Sequence, residues 1–325
     1  MTSPFDGYEV DKHLRPVAGD LAFDLDQAAS SVVVLQARVP EDAFTAQTLG
    51  TERLGNGIVI NESGLVLTIG YLISEAEEVI LTANDGRRIA AHPLGQDAVT
   101  GFGLLHALEP LDLPALAIGD SRRLKDRSDV IVAGGGGRAH TSAAQLIARA
   151  PFAGYWEYLL DEALFTAPAH PHWSGAALIG PTGALAGVGS LQMNQEGPGG
   201  RAQIINMSVP IELLPPILDD LARGRPTHEP RPWLGVYAHD AEGHVVVMDV
   251  STGGPADRAE VRSGDVVLAV GGQKVSSLAA FYTKLWALGP AGVTAPLRLR
   301  REGDVFEVMV KTSDRAARMK KRRLN

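Results

Sequence analysis

Gly57-Ile58-Val59-Ile60-Asn61-Glu62-Ser63-Gly64-Leu65-Val66-Leu67-Thr68-Ile69 is an apolar run, a polar turn ending in glycine, and a second apolar run. Short apolar runs bounded by turn residues predict paired strands, here Gly57–Asn61 and Leu65–Ile69. The same punctuation continues in both directions. Upstream lies Ser31–Ala37, followed by a loop over Pro40–Arg53. Downstream, Glu78–Thr82 ends at Asn84-Asp85-Gly86, a strong hairpin signal. Leu104–Ala107, Ala115–Ile118, Asp129–Ala133, Leu164–Ala167, Ala176–Ile179 and Ala184–Ser190 extend the series. Many short strands about ten residues apart argue for an antiparallel barrel or sandwich.

The pattern changes past residue 210. Leu214, Leu218 and Leu221 recur at helical spacing, and Arg223-Gly224-Arg225-Pro226 supplies a helix stop. Residues 224–232 carry three prolines and read as a semi-stiff linker. Beyond them, strands are expected at Leu234–Tyr237, His244–Val250 and Asp265–Val270, with a short helix over Pro255–Glu260. A second helix is capped by Ser276-Ser277 and runs to Leu288, before Gly289-Pro290. Leu297–Arg301 and Val305–Lys311 form a last hairpin. The expected organisation is an arm (1–20), a β domain (21–223), the linker (224–232), a compact α+β domain (233–312) and a basic tail (313–325).

Composition narrows the chemistry. The chain has 325 residues, 45% of them hydrophobic, which is enough to bury a core. It has no cysteine, so a disulfide scaffold, a thiolate metal site and a cysteine nucleophile are excluded. No His-x-x-x-His or paired-carboxylate spacing suggests a metal, and no cofactor is expected. The net charge of −8 argues against a nucleic-acid binder. Arg315, Arg318, Lys320, Lys321, Arg322 and Arg323 form a basic end that reads as a solvated tail. The first residues lack a basic segment followed by an apolar run, and no apolar stretch reaches membrane-spanning length. A cytoplasmic location without a membrane span is therefore the expectation.

Several segments, in order, resemble the HtrA/DegP family of trypsin-like serine proteases with a C-terminal PDZ domain. Gly55-Asn56-Gly57-Ile58-Val59-Ile60 is similar to its G-S-G-V-I-I strand. Leu116-Ala117-Ile118-Gly119-Asp120-Ser121-Arg122-Arg123-Leu124 resembles L-G-D-S-x-x-L, and Val209-Pro210 resembles the start of the closing helix. Arg231-Pro232-Trp233-Leu234-Gly235-Val236 resembles R-P-x-L-G-V at the start of the PDZ domain. Gly254-Pro255-Ala256 and Arg262-Ser263-Gly264-Asp265-Val266-Val267 resemble later PDZ motifs. The resemblance implies a mainly β fold: a trypsin-like double β-barrel followed by an α+β PDZ domain.

A serine protease needs a nucleophilic hydroxyl, a base to take its proton and a carboxylate to orient the base. The family motif N-P-G-N-S-G-G-P-L falls on His170-Pro171-His172-Trp173-Ser174-Gly175-Ala176-Ala177-Leu178, which puts Ser174 at the nucleophile's position. The family's histidine position holds Tyr71, within Leu67-Thr68-Ile69-Gly70-Tyr71-Leu72-Ile73. Its aspartate position holds Gly101, within Thr100-Gly101-Phe102-Gly103-Leu104-Leu105. A phenol with a pKa near 10 is a poor acceptor of a serine proton. The oxyanion-hole positions are Ser174 and His172, the latter where the family has glycine. His92, His106, His140, His170 and His172 are the available substitute bases, and each reads as a surface or loop histidine. Asp97 and Asp120 read as turn or cap acids. Gly134-Gly135-Gly136-Gly137 lacks the context of a phosphate loop and reads as a flexible loop.

In the PDZ segment, backbone amides at Leu234, Gly235 and Val236 are expected to receive a peptide's terminal carboxylate. Leu285 and Leu288 are candidates for an apolar pocket or for plain core. Glu260 stands where the family commonly has glycine. The expected function is a non-catalytic pseudoprotease in protein quality control that binds exposed hydrophobic peptides or protein C-termini. The alternatives are an active serine endopeptidase with a rewired site around Ser174, and an oligomeric assembly scaffold. The resemblance also implies a homo-oligomer, a trimer in the family, with Phe5, Tyr8, Leu21 or Phe23 as contact candidates.

Overall fold

A computed structural model describes residues 9–196, 200 and 202–320. Phe5, Tyr8 and the tail residues Lys321, Arg322 and Arg323 lie outside the described residues. The chain divides into two compact units. The first comprises residues up to Ala150 with Glu162–Thr227; the second comprises Pro151–Asp161 with His228–Lys320.

The first unit contains two closed six-stranded antiparallel barrels. Helices α1 (Leu25–Ser30) and α2 (Ala46–Leu49) flank the start of the first. Its strands are β1 (Val32–Arg38), β2 (Glu52–Val59), β3 (Leu65–Ile69), β4 (Glu78–Thr82), β5 (Arg88–Gln96) and β6 (Phe102–Ala107), closed in the order β1-β2-β3-β6-β5-β4. The second barrel uses β7 (Asp129–Ala133), β8 (Thr141–Gly154), β9 (Tyr158–Ala167), β10 (Ala177–Ile179), β11 (Leu185–Glu196) and β12 (Ala202–Pro210). They close in the order β10-β11-β12-β9-β8-β7. Closure pairs the strand edges of each barrel, and strands such as β1 are buried on both faces. Val32, Val33, Leu35, Ile58, Leu67 and Leu104 are wholly buried in the first barrel. Leu146, Leu164, Leu178 and Ala176 are wholly buried in the second.

Several expectations change in detail. Ala115–Ile118 is not a strand, and Ile118 makes a single bridge to Leu185. The leucines after Pro210 form a 3-10 turn over Ile211–Leu213 and a short α4 (Leu218–Ala222), because Pro215 and Pro216 interrupt the run. Strand β5 tolerates Pro93 through a register shift between Pro93 and Gly95. Of the arm's contact candidates, Leu21 and Phe23 are half-buried. Among the described residues no helix is long and apolar enough to cross a membrane.

The second unit packs a sheet of β13 (Val236–Ala241), β14 (His244–Val250), β15 (Val266–Val270), β16 (Gln273–Lys274), β17 (Thr294–Arg301) and β18 (Asp304–Lys311), in the order β13-β14-β15-β17-β18 with β16 beside β15. Helices α5 (Pro255–Arg258) and α6 (Leu278–Trp286) complete it. Ser277 caps α6 by accepting from the Ala280 amide at 3.2 Å. Phe281, Tyr282, Leu285, Leu234, Leu297 and Leu299 form the buried centre. Leu285 is thus core, whereas Leu288 is a partly buried neighbour. The basic tail begins as ordered structure. Asp314 caps a 3-10 turn over Arg315–Arg318, and Arg318 donates to the carbonyls of Gly253 (2.7 Å) and Thr252 (2.9 Å).

Candidate active site and peptide groove

The positions expected to correspond to a catalytic triad are set by the ends of strands. Tyr71 follows β3 on the single helical turn α3 (Gly70–Ile73). Gly101 immediately precedes β6 at φ 86°, with its carbonyl accepting from the Gly70 amide at 2.7 Å. Ser174 lies in the loop between β9 and β10. Gly175 holds this loop against the first barrel: at φ 72°, a Cβ there would stand 2.1 Å from the Asn56 carbonyl oxygen. Asn56 is wholly buried on β2. Its side-chain amide donates to the carbonyls of His172 (2.9 Å) and Ser174 (2.8 Å), and its backbone amide donates to Ser174 (2.8 Å).

Tyr71 and Ser174 meet, their hydroxyl oxygens 2.8 Å apart. The direction of this bond follows from a second one. A register shift between Gly189 and Leu191 takes Ser190 out of the β11–β12 pairing, and the Ser190 carbonyl accepts from the Tyr71 hydroxyl at 2.8 Å. A phenol has one proton, so Ser174 must donate to Tyr71. The serine proton therefore points at an oxygen that cannot keep it. Burial pushes the Tyr71 phenol above its ordinary value, further from a phenolate, although its bond to Ser174 pulls the other way.

The oxyanion-hole position is also committed. The His172 backbone amide donates to Nδ1 of His170 at 3.0 Å. His170 Nε2 lies 2.9 Å from the His140 carbonyl and, as the remaining donor, bonds to it. His170 is wholly buried, and burial lowers its pKa to about 4, so the ring is neutral. Of the expected surface or loop placement of His170, the loop holds and the surface does not: it is an internal brace of the serine loop. His140 is buried as well, while His92 and His106 face each other across β5 and β6. Asp97 accepts from the Thr100 amide at 2.6 Å and Asp120 from Arg122 at 3.1 Å, as turn and cap acids do. The glycine loop is tied rather than loose. The amides of Gly134, Gly135 and Gly136 donate to the His140 carbonyl, Asn56 Oδ1 and Asn84 Oδ1.

The peptide-groove positions hold a feature that the sequence did not announce. The outer end of hairpin β8–β9 belongs to the second unit, and the Glu157 carboxylate at its tip meets all three predicted amides. Oε1 accepts from Gly235 (2.6 Å) and Val236 (3.0 Å), and Oε2 from Leu234 (3.0 Å). Burial pushes the Glu157 pKa up to about 7, while the three amides and the Arg315 guanidinium hold it back. Gly235 sits at φ 79°, and a Cβ there would lie 3.0 Å from the Trp233 ring and 3.2 Å from the Ser251 Cβ. A glycine is needed for that turn.

A trypsin-like peptidase domain matches residues 55–188 and a PDZ domain matches residues 232–312. The probable periplasmic serine endoprotease DegP-like of Halomonas elongata is 27% identical over 278 residues, covering 80% of this chain and 56% of that protein. The periplasmic pH-dependent serine endoprotease DegQ of Escherichia coli is 27% identical over 272 residues, covering 80% and 59%. This chain thus spans less than two thirds of both. Serine endoprotease DegS of Escherichia coli is 26% identical over 268 residues, covering 76% of this chain and 73% of that protein. A crystal structure of the serine endoprotease from Yersinia pestis shares the fold with a TM-score of 0.51 at 24% identity, over 90% of this chain and 99% of the other. The HtrA-type protease AlgW with decapeptide gives 0.52 at 20%, over 90% and 97%.

The chain carries a trypsin-like peptidase domain followed by a PDZ domain, and these matches, with the DegP-like and DegS relatives, support the HtrA family. Its mainly β double barrel and PDZ domain are those the sequence predicted. The cytoplasmic expectation is corrected, because relatives across most of this chain are named as periplasmic. That expectation rested on the composition of the first residues and on the want of a membrane-spanning apolar run, and neither distinguishes compartments.

Proposed function

We propose that this chain is a non-catalytic member of its family, a pseudoprotease that works through peptide binding by its PDZ domain. One observation carries the reading: Ser174 donates its proton to Tyr71, whose own proton is held by Ser190. A general base must accept the serine proton as the hydroxyl attacks. Tyr71 has no capacity to do so near neutral pH, and Gly101 brings no carboxylate to help. The His172 amide, turned to His170, adds a second deficit where negative charge would develop. What remains is a groove whose amides are built to hold a carboxylate, consistent with ligands that are exposed hydrophobic peptides or protein C-termini. The periplasmic relatives support a location outside the cytoplasm. Homo-oligomerisation through the barrel and arm belongs to the same reading, and a solution mass measurement tests it.

The functional test is casein cleavage by the full chain beside Ser174→Ala. Equal, background rates are expected. Cleavage that disappears in Ser174→Ala overturns the reading.

A further inference from the structure

The tip of hairpin β8–β9 reads Tyr155-Trp156-Glu157, and its contacts follow the geometry of an added strand. One edge of β13 is paired with β14, with Val236 opposite Val250. The other edge receives the tip: the Ala238 amide donates to the Tyr155 carbonyl at 3.0 Å. On β13, Ala238 lies two residues past Val236; on the tip, Tyr155 lies two residues before Glu157. The two bonded positions therefore match in spacing, as they do when an extended peptide joins a sheet edge.

Two features adapt an internal segment to a site suited to a chain end. Glu157 has φ 61°, a left-handed conformation that an L residue disfavours. That turn sends the backbone on into β9 while the side-chain carboxylate stands in for a terminal one. Tyr282, wholly buried on α6, fixes the turn from the opposite wall. Its hydroxyl donates to the Gly154 carbonyl at 2.8 Å and accepts from the Glu157 amide at 3.1 Å. Aromatic packing holds the tip itself, with Trp156 stacked on Tyr158 at 5.6 Å and Tyr155 6.2 Å from Tyr237.

We propose that Tyr155-Trp156-Glu157 is a built-in ligand of the PDZ groove. It occupies the place of a peptide's last three residues, and an external chain with an aromatic side chain two residues before its terminal carboxylate enters by displacing it. The groove's ligand class is read from its resident: a carboxylate on the amides of Leu234–Val236 and an aromatic residue beside Tyr237. The resident also sets a threshold. Apparent affinity is the intrinsic affinity reduced by the fraction of molecules whose groove is open.

This inference rests on the peptide-binding reading, so its test separates the two. The probe is a fluorescein-labelled hexapeptide ending in Tyr-Trp-Leu with a free carboxylate, beside its C-terminal amide. It is titrated against the full chain, Glu157→Gln and Tyr282→Phe, while hydrogen exchange follows the amides of residues 234–238. Both variants are expected to bind the acid form at least about ten-fold more tightly than the unaltered chain. Faster exchange at Leu234–Val236 is expected in the free variants, with protection restored by peptide. Equal affinity in all three proteins overturns the built-in ligand and leaves peptide binding standing. If the acid form binds to none of the three, peptide binding itself fails. Unchanged exchange at Leu234–Val236 in Glu157→Gln overturns the resident contact independently of any peptide.

Discussion

The serine loop and the PDZ amide loop are both sites whose polar groups are already spent, but they are spent differently. In the serine loop, on the function proposed above, the reagents themselves have changed: Tyr71 stands for a base, Gly101 for a carboxylate, and the His172 amide faces inward to His170. Displacing a ligand would not restore chemistry there. In the amide loop every group that a carboxylate needs is present and correctly aimed, and a carboxylate from the same chain sits on them. A lost site and a filled site look alike by the criterion of satisfied hydrogen bonds. They part on whether the occupant can leave.

The sharpest way to press this difference is to rebuild the lost site. A triad acts as a unit, and losing an essential member costs about a million-fold in rate. Tyr71→His with Gly101→Asp is expected to recover only part of that, because the His172 amide remains turned to His170. Adding His172→Gly should raise casein cleavage by a further ~10²–10³-fold, the value of an oxyanion donor. Full activity in the double variant would show that the His172 amide is not a barrier.

A smaller effect is expected at the filled site. Gly235→Val forces a Cβ against the Trp233 ring at a positive φ. In a Glu157→Gln background it should weaken binding of the free-carboxylate hexapeptide by more than about ten-fold, or ~1.4 kcal/mol. Unchanged titrations would remove the amide loop from the peptide site.

Acidity gives a third probe. The Glu157 pKa is about 7 in the docked tip, against 4.5 as the ordinary value. Docking therefore takes up a proton, so its contribution is complete below about pH 4.5 and fades as pH rises through 7. The groups that act on Glu157 include Arg315 from the tail turn, Tyr237 on β13 and Tyr282 on α6, and burial raises both phenols. External peptide should bind the full chain more tightly at pH 8 than at pH 5, by on the order of ten-fold. Glu157→Gln should flatten that profile. A profile of the opposite slope, or one that survives in Glu157→Gln, assigns the dependence elsewhere.

The smallest expected effect concerns a family departure. Glu260 ends α5 at φ 58° while its carbonyl accepts from Arg301 at 2.8 Å. Glu260→Gly relieves the left-handed strain but adds freedom to the unfolded chain, a net gain of about 0.5 kcal/mol. Denaturant midpoints of the full chain would report it, and a loss of stability would show that the Glu260 side chain makes a compensating contact.

The contrast also marks what was legible in the sequence. Turn chemistry and β-branched runs placed β4 and β7 to the residue, and Ser277 was found as the cap of α6. The reading of positions 71 and 101 as the family's histidine and aspartate positions rests on the flanking motifs, and the structure adds that Tyr71 meets Ser174. Strand β8 was missed: Thr141–Gly154 is rich in alanine and carries little of the β-branched signal. The loop placement of His170, beside Pro171, was legible, but its burial was not, because only the fold encloses its ring. Glu157 was invisible for a different reason. It lies 77 residues from the amide of Leu234, and no local periodicity links an acid to amides so far along the chain. A faint signal existed in Tyr155-Trp156-Glu157-Tyr158, an acid enclosed by aromatics in a chain only 6% aromatic.

The central claim is that the serine is present but has no base. It is tested most directly by a fluorophosphonate probe, which reports a reactive serine without requiring turnover of a substrate. The account predicts that the purified full chain labels no more than Ser174→Ala over prolonged exposure. Labelling that depends on Ser174 would contradict it and show that the hydroxyl is activated despite Tyr71.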